Sequence, residues 1–148
     1  MANIKDVQKL RLETGYGIIE CKKALEETKG DYKKALSIIN KSGAVKAAKR
    51  AERETRQGIV EAYIHEHKIG AIVVLGCETD FVAKNEEFKA LAHEIAMQIT
   101  SMNPKDIKEL LSQDYIKDPS VSIKELMEKV IGKTGENMQV IDFKRFSL

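Results

Sequence analysis

Three histidines and two cysteines are the side chains in this sequence with the strongest claim on metal or nucleophilic chemistry, and their spacing limits what they can do. His65 and His67 flank Glu66 in a polar stretch with no third ligand nearby, whereas a zinc site needs three or four converging donors, so no metal is expected. His93 lies beside Glu94 in an apolar-periodic run and reads as a surface or boundary residue rather than a general base. Cys21 and Cys77 are too few for a disulfide framework and too far apart for a metal-ligand spacing, so both read as reduced and buried. Cys77 follows an apolar stretch that offers nothing to stabilise a thiolate. Gly132-Lys133-Thr134-Gly135 has the look of a phosphate loop, but it lacks the upstream glycine and precedes a strand where a helix is needed. With no nucleophile motif besides, the sequence points away from covalent catalysis and from any bound cofactor.

The segment Thr79-Asp80-Phe81-Val82 is of another kind, because polar residues bracket a Phe-Val pair where a strand gives way to a helix. Pattern alone makes Asp80 a helix cap and buries Phe81 in the core. The alternative is a protruding aromatic anchor on an exposed junction.

The elements that must hold this segment can be read from periodicity. Ile4, Val7 and Leu10 mark a first helix before the break Thr14-Gly15-Tyr16-Gly17, and Ile18, Cys21 and Leu25 mark a second that stops near Lys29-Gly30. Asp31 caps a third helix carrying Tyr32, Ala35, Leu36 and Ile39, with its end expected at Ser42-Gly43. From Ala44 to Arg56 the chain is alanine-rich and basic, which reads as a helical linker and, alternatively, as a basic contact surface. Ile59 to Ile64 and Ile69 to Leu75 form a hairpin around His65-Glu66-His67-Lys68. A long helix follows over about Glu86 to Thr100, then shorter helices near Lys105 to Ser112 and Ser122 to Ile131 separated by a Pro119 loop. A strand from Met138 to Phe146 closes the sheet.

The organisation is therefore α+β: a three-helix module over 1–43, a linker over 44–56, and a core over 57–148 with a three-stranded antiparallel sheet packed by helices. The 43% hydrophobic and 32% charged fractions suit a well-ordered domain, and no apolar run is long enough to cross a bilayer. Met1 to Asp6 lacks an apolar signal core, so a cytosolic location is expected. A net charge of +2, the absence of tryptophan and 5% aromatics give no platform for nucleic acid, and no direct nucleic-acid partner is expected.

Three blocks, Leu10-Arg11-Leu12-Glu13-Thr14-Gly15-Tyr16-Gly17, Glu20-Cys21-Lys22-Lys23-Ala24-Leu25 and Thr79-Asp80-Phe81-Val82-Ala83-Lys84, resemble the translation elongation factor Ts family. Gly30-Asp31, Lys41-Ser42-Gly43-Ala44, Cys77 and Gly135-Glu136-Asn137 match further blocks in the same order. The resemblance implies a cytosolic factor that binds elongation factor Tu in its GDP form and speeds nucleotide release. It implies that Asp80 and Phe81, within Thr79 to Val82, intrude beside the partner's nucleotide and disturb its magnesium. It also implies a ubiquitin-associated-like fold for the N-terminal module, with Arg11, Ile18 and Ile19 as partner contacts. Long members of the family carry two related core halves, and this chain carries one; short members pair, so a homodimer joined through the sheet module is expected.

Overall fold

In the computed structural model, which describes residues 2–148, the first three helices are α1 (Ile4–Thr14), α2 (Ile18–Glu27) and α3 (Tyr32–Arg50). Each begins where the sequence supplies a cap. Asn3 accepts from the Lys5 N–H at 3.0 Å, and Asp31 accepts from the Lys34 N–H at 3.1 Å. Gly15, at φ 73°, closes α1 in the left-handed conformation that glycine tolerates best. Val7, Leu10, Cys21, Ala24, Leu25, Ala35 and Ile39 converge into a small core of their own.

The helix stop expected at Ser42-Gly43 does not occur, and α3 continues to Arg50. Gly43 is buried at a point of close approach, where an added methyl would come within 2.9 Å of the Glu128 carbonyl oxygen on the facing helix. The glycine removes a side chain where two helices cross; it does not turn the chain. Gly132 lies opposite, and a methyl there would fall on the Tyr16 hydroxyl and 2.9 Å from Gly43 Cα. Tyr16 is buried between the two glycines, with the Lys46 ammonium 4.8 Å from its ring centroid and Lys46 paired in turn with Glu20. Its hydroxyl finds no hydrogen-bond partner among the described residues.

The core module is built on strands β1 (Gln57–His65), β2 (Ile69–Cys77) and β5 (Met138–Ser147), antiparallel throughout, in the order β1-β2-β5. β2 is central and the most apolar, in keeping with its burial on the helix side through Ala71, Val73, Leu75 and Cys77. A bulge in β5 opposite Val74 and Leu75 keeps both Val140 and Phe143 turned toward the helices. The hairpin turn carries Glu66 and His67 at positive φ, 50° and 59°, the signs that match the twist of a tight antiparallel hairpin.

One layer of helices covers this sheet: α4 (Asp80–Ala83), α5 (Glu86–Met102), α6 (Ile107–Ser112) and α7 (Ile123–Thr134). Phe88, Leu91, Ile95 and Ile99 of α5 fill the core against the sheet. The expected Pro119 loop is a short ribbon, β3 (Asp114–Tyr115) paired with β4 (Asp118–Ser122). The Gln98 side chain supports it by donating to the Asp114 carbonyl and accepting from the Ile116 N–H, both at 3.0 Å. Gly132→Ala is expected to destabilise the protein by ~1–3 kcal/mol, the usual cost of overpacking, because a backbone atom stands in the way. Tyr16→Phe, which deletes an unpaired buried hydroxyl, is expected to be neutral or stabilising; urea unfolding of the two variants measures the contrast.

Candidate functional site

The chain leaves β2 at Cys77 and makes a single helical turn before α5. Thr79, not Asp80, caps that turn: its hydroxyl accepts from the Val82 N–H at 3.3 Å. Asn85 then caps α5, accepting from the Glu87 N–H at 2.8 Å and the Phe88 N–H at 3.4 Å. With caps on both sides the orientation of α4 is fixed, and its inward face is Val82 and Ala83, 5% and 4% exposed. Four residues cannot all face inward, and Phe81 is left 84% exposed. The core position that pattern alone assigned to Phe81 belongs to Val82. An isolated exposed apolar residue is ordinary, but a phenylalanine held outward on a doubly capped turn is presented surface.

Asp80 is also exposed and lies 2.8 Å from Lys84, one turn on. Its hydrogen bond and charge raise the Lys84 ammonium above its ordinary pKa. The pair is solvated, so it contributes little to stability and leaves the carboxylate accessible.

The sequence offered no reason, beyond their place in a matching block, to single out Glu136 and Asn137, yet both touch this turn from 57 to 59 residues away. The Glu136 carboxylate accepts from the Glu78 N–H at 3.1 Å, the Thr79 N–H at 2.9 Å and the Thr79 hydroxyl at 2.7 Å. Glu78 answers by accepting from the Asn137 N–H at 2.7 Å. Gly132-Lys133-Thr134-Gly135 closes α7, and Gly135, at φ 75°, donates its N–H to the Ile131 carbonyl as the helix ends.

Arg11, Ile18 and Ile19 sit in the other module, on the α1–α2 corner and outside its core. All three are exposed, Ile19 at 83%, and so is the neighbouring Leu12, at 86%, which lies in the same matching block but was not among the expected contacts. The two candidate surfaces are joined structurally. A methyl on Gly15 would come within 2.8 Å of Lys133 Cε, and the Lys133 ammonium reaches Glu87, in the first turn of α5, at 3.5 Å. The corner between Leu12 and Ile18 thus packs beside the end of α7 that also holds the Phe81 turn.

The histidines do not converge. His65 Nδ1 lies 3.0 Å from the Tyr63 hydroxyl, and His93 packs edge-on against the Tyr63 ring with Glu61 3.9 Å away. Among the described residues no group of three or more His, Cys, Asp or Glu is placed to hold a metal ion. Burial, reinforced by the negative charge of Glu136, pushes the Cys77 thiol up to about 11 from an ordinary 9.0, so it is not a thiolate near neutral pH.

A family model described as Elongation factor TS matches residues 78–148. The chain is 40% identical over 192 aligned positions to the elongation factor Ts of Petrotoga mobilis, covering 99% of this chain and 98% of that one. It is 38% identical to the elongation factor Ts of Thermodesulfovibrio yellowstonii, over 96% of this chain and 94% of the relative. These alignments, 192 and 186 positions long against a chain of 148, include stretches that the relatives have and this chain lacks. The elongation factor Ts of Clostridium novyi is 41% identical over all of this chain, which corresponds to 49% of that longer protein.

Because the folded Cys77 pKa lies above the unfolded one, the protonated thiol contributes stability in full below about pH 9, and that contribution is lost as pH rises toward 11. The gap in unfolding free energy between wild type and Cys77→Ala should therefore narrow between pH 8 and pH ~10.5, which denaturant titrations at the two pH values measure.

Proposed function

The chain belongs to the elongation factor Ts family, and on that premise we propose that it is a guanine-nucleotide exchange factor that binds elongation factor Tu in its GDP form and promotes GDP release. The observation that carries this reading is the outward presentation of Phe81 on a turn that Val82 and Ala83 anchor in the core. Such a factor needs no covalent step. Whatever it gains by binding the nucleotide-free partner more tightly, it must take from the nucleotide's hold by the same factor.

Burying a phenylalanine removes ~150–250 Å² from water, at most ~4–6 kcal/mol gross, and each ~1.4 kcal/mol kept as coupling is a tenfold change. In this proposal Phe81 enters the partner as a wedge from the Thr79–Val82 turn. The Asp80 carboxylate weakens the partner's magnesium by repelling phosphate oxygens and competing for the hydrogen bonds around the ion. Val82 takes no direct part; buried, it anchors the turn. Arg11, Ile18 and Ile19, with Leu12, form a second docking patch for the partner. We place the factor in the cytoplasm, where elongation factor Tu works.

RNA binding through the basic stretch after Ala44 is the weaker reading, because most of its basic side chains are already engaged. Lys46 pairs with Glu20, Arg53 lies 3.6 Å from Glu78, Arg56 pairs with Glu54, and Arg50 Nη1 donates to the Lys46 carbonyl at 3.2 Å. The homodimer has a candidate surface in the sheet face turned away from the helices, where Val60, Ile64, Ile72 and Phe146 are exposed.

Phe81→Ala should lower GDP release from elongation factor Tu by at least ~10-fold, measured with a fluorescent GDP analogue, while leaving the melting temperature unchanged, since the ring makes no core contact. Asp80→Ala should have a milder effect. Wild-type release rates from Phe81→Ala would sink the wedge assignment. In sedimentation velocity the chain should run as a dimer and Ile72→Lys as a monomer; a monomeric wild type at tens of micromolar contradicts the pairing.

A further inference from the structure

At the Cys77 end of β2 the ladder stops: Cys77 faces Gln57 on one side and Met138 on the other, and no register pair lies beyond. The next two backbone N–H groups, of Glu78 and Thr79, have no strand to receive them. Both donate to a single oxygen, Glu136 Oε1, while the Thr79 hydroxyl donates to Oε2 at 2.7 Å. Glu78 Oε1 accepts in return from the Asn137 N–H, and Asn137 Nδ2 donates to the Arg53 carbonyl at 2.8 Å, tying the same point to the chain after α3. Two glutamate side chains thus replace the missing rungs of the sheet.

The Thr79 hydroxyl stands in series between Glu136 and α4, and its two roles are not independent. A hydroxyl can donate or accept in several orientations, whereas an ionised carboxylate only accepts. Facing Glu136, the hydroxyl proton has one place to go, and the oxygen is left free to accept from the Val82 N–H. This matters because α4 has little of its own to hold it. Its backbone bonds are Ala83 N–H to the Thr79 carbonyl, Lys84 N–H to the Asp80 carbonyl and Asn85 N–H to the Val82 carbonyl, and helices this short do not persist unaided in water.

We propose that Glu136 is the positioning residue for the exchange wedge, fixing the Thr79 cap through its hydrogen bonds so that α4 presents Phe81 in one orientation. The proposal rests on the reading of Phe81 as the wedge, and it makes a separate claim: Glu136 never touches the partner's nucleotide and acts only through the Glu78–Thr79 segment that caps the turn. The Glu78 and Thr79 amides lie near solvent, so water can take over from a missing carboxylate. Loss of Glu136 therefore affects aim more than stability.

The test uses the full chain and elongation factor Tu loaded with a fluorescent GDP analogue, following release as the factor is titrated. Glu136→Ala should lower the maximal release rate about tenfold, the factor that one charged hydrogen bond supplies, with the half-saturating concentration within about twofold of wild type. Thr79→Val should fall in the same way, and Glu136→Gln, which keeps one acceptor oxygen, should recover part of the rate. Glu136→Ala added to Phe81→Ala should cost little further, no more than the smaller share carried by Asp80 on the same turn. A wild-type maximal rate from Glu136→Ala would overturn the proposal. So would a full additional loss in the Phe81→Ala background, or a raised half-saturation at unchanged maximal rate, which is the mark of less folded protein. If Glu136→Ala does not fold, wild-type maximal rates from both Glu136→Gln and Thr79→Val overturn it instead. Unaltered release from Phe81→Ala alone would defeat the wedge reading itself, separately from the part assigned to Glu136.

Discussion

The burial of Val82 and Ala83 beneath one turn of helix is the constraint from which the rest of the site follows. A turn of four residues has one inward face, and once Val82 occupies it Phe81 has no route to the core. The turn is short because β2 ends at Cys77 and α5 begins at Glu86, so the chain has eight residues in which to leave a sheet and enter a helix. Thr79, Asn85 and Glu136 supply the hydrogen bonds that so short an element cannot supply for itself. The result is an apolar ring in water held by a rigid base, which reduces the ordering cost of inserting it into a partner.

A second constraint governs where that ring points relative to the three-helix module. Tyr16 is wedged at the crossing of α3 and α7, where Gly43 and Gly132 bring the two backbones together. The continuity of α3 through Gly43 makes the junction a helix rather than a hinge. Since α7 ends at the turn bearing Glu136, the same helix that meets the N-terminal module also fixes the Phe81 turn. The exposed corner around Leu12, Ile18 and Ile19 and the Phe81 turn are therefore connected through packed helices as well as through the chain between them.

Much of this was legible in the sequence. The cap at Asp31, the hydrophobic period of α5 and the β-branched run of β2 are local features, and they gave the elements and the sheet. What local pattern misassigned depends on distant partners. Gly43 resembles a helix stop unless Glu128 is known to lie against it. Asp80 and Phe81 resemble a cap and a core residue unless the Thr79 hydroxyl is known to be oriented by a carboxylate from beyond α7. Glu136 itself carries no periodic or compositional signal, because its role is set by contacts that span 57 and 58 residues of chain. The resemblance to elongation factor Ts supplied what pattern could not for Phe81, since it compares whole blocks rather than local preferences.

The claim that Phe81 is a wedge waiting in solvent is tested most directly by watching the ring itself. With 4-fluorophenylalanine placed at position 81, the fluorine resonance of the free protein should show the solvent-isotope shift of an exposed ring. On addition of nucleotide-free elongation factor Tu, it should move to a new position and lose that isotope shift as the ring is buried. A fluorine signal that keeps its full solvent-isotope shift in the saturated complex would contradict the account.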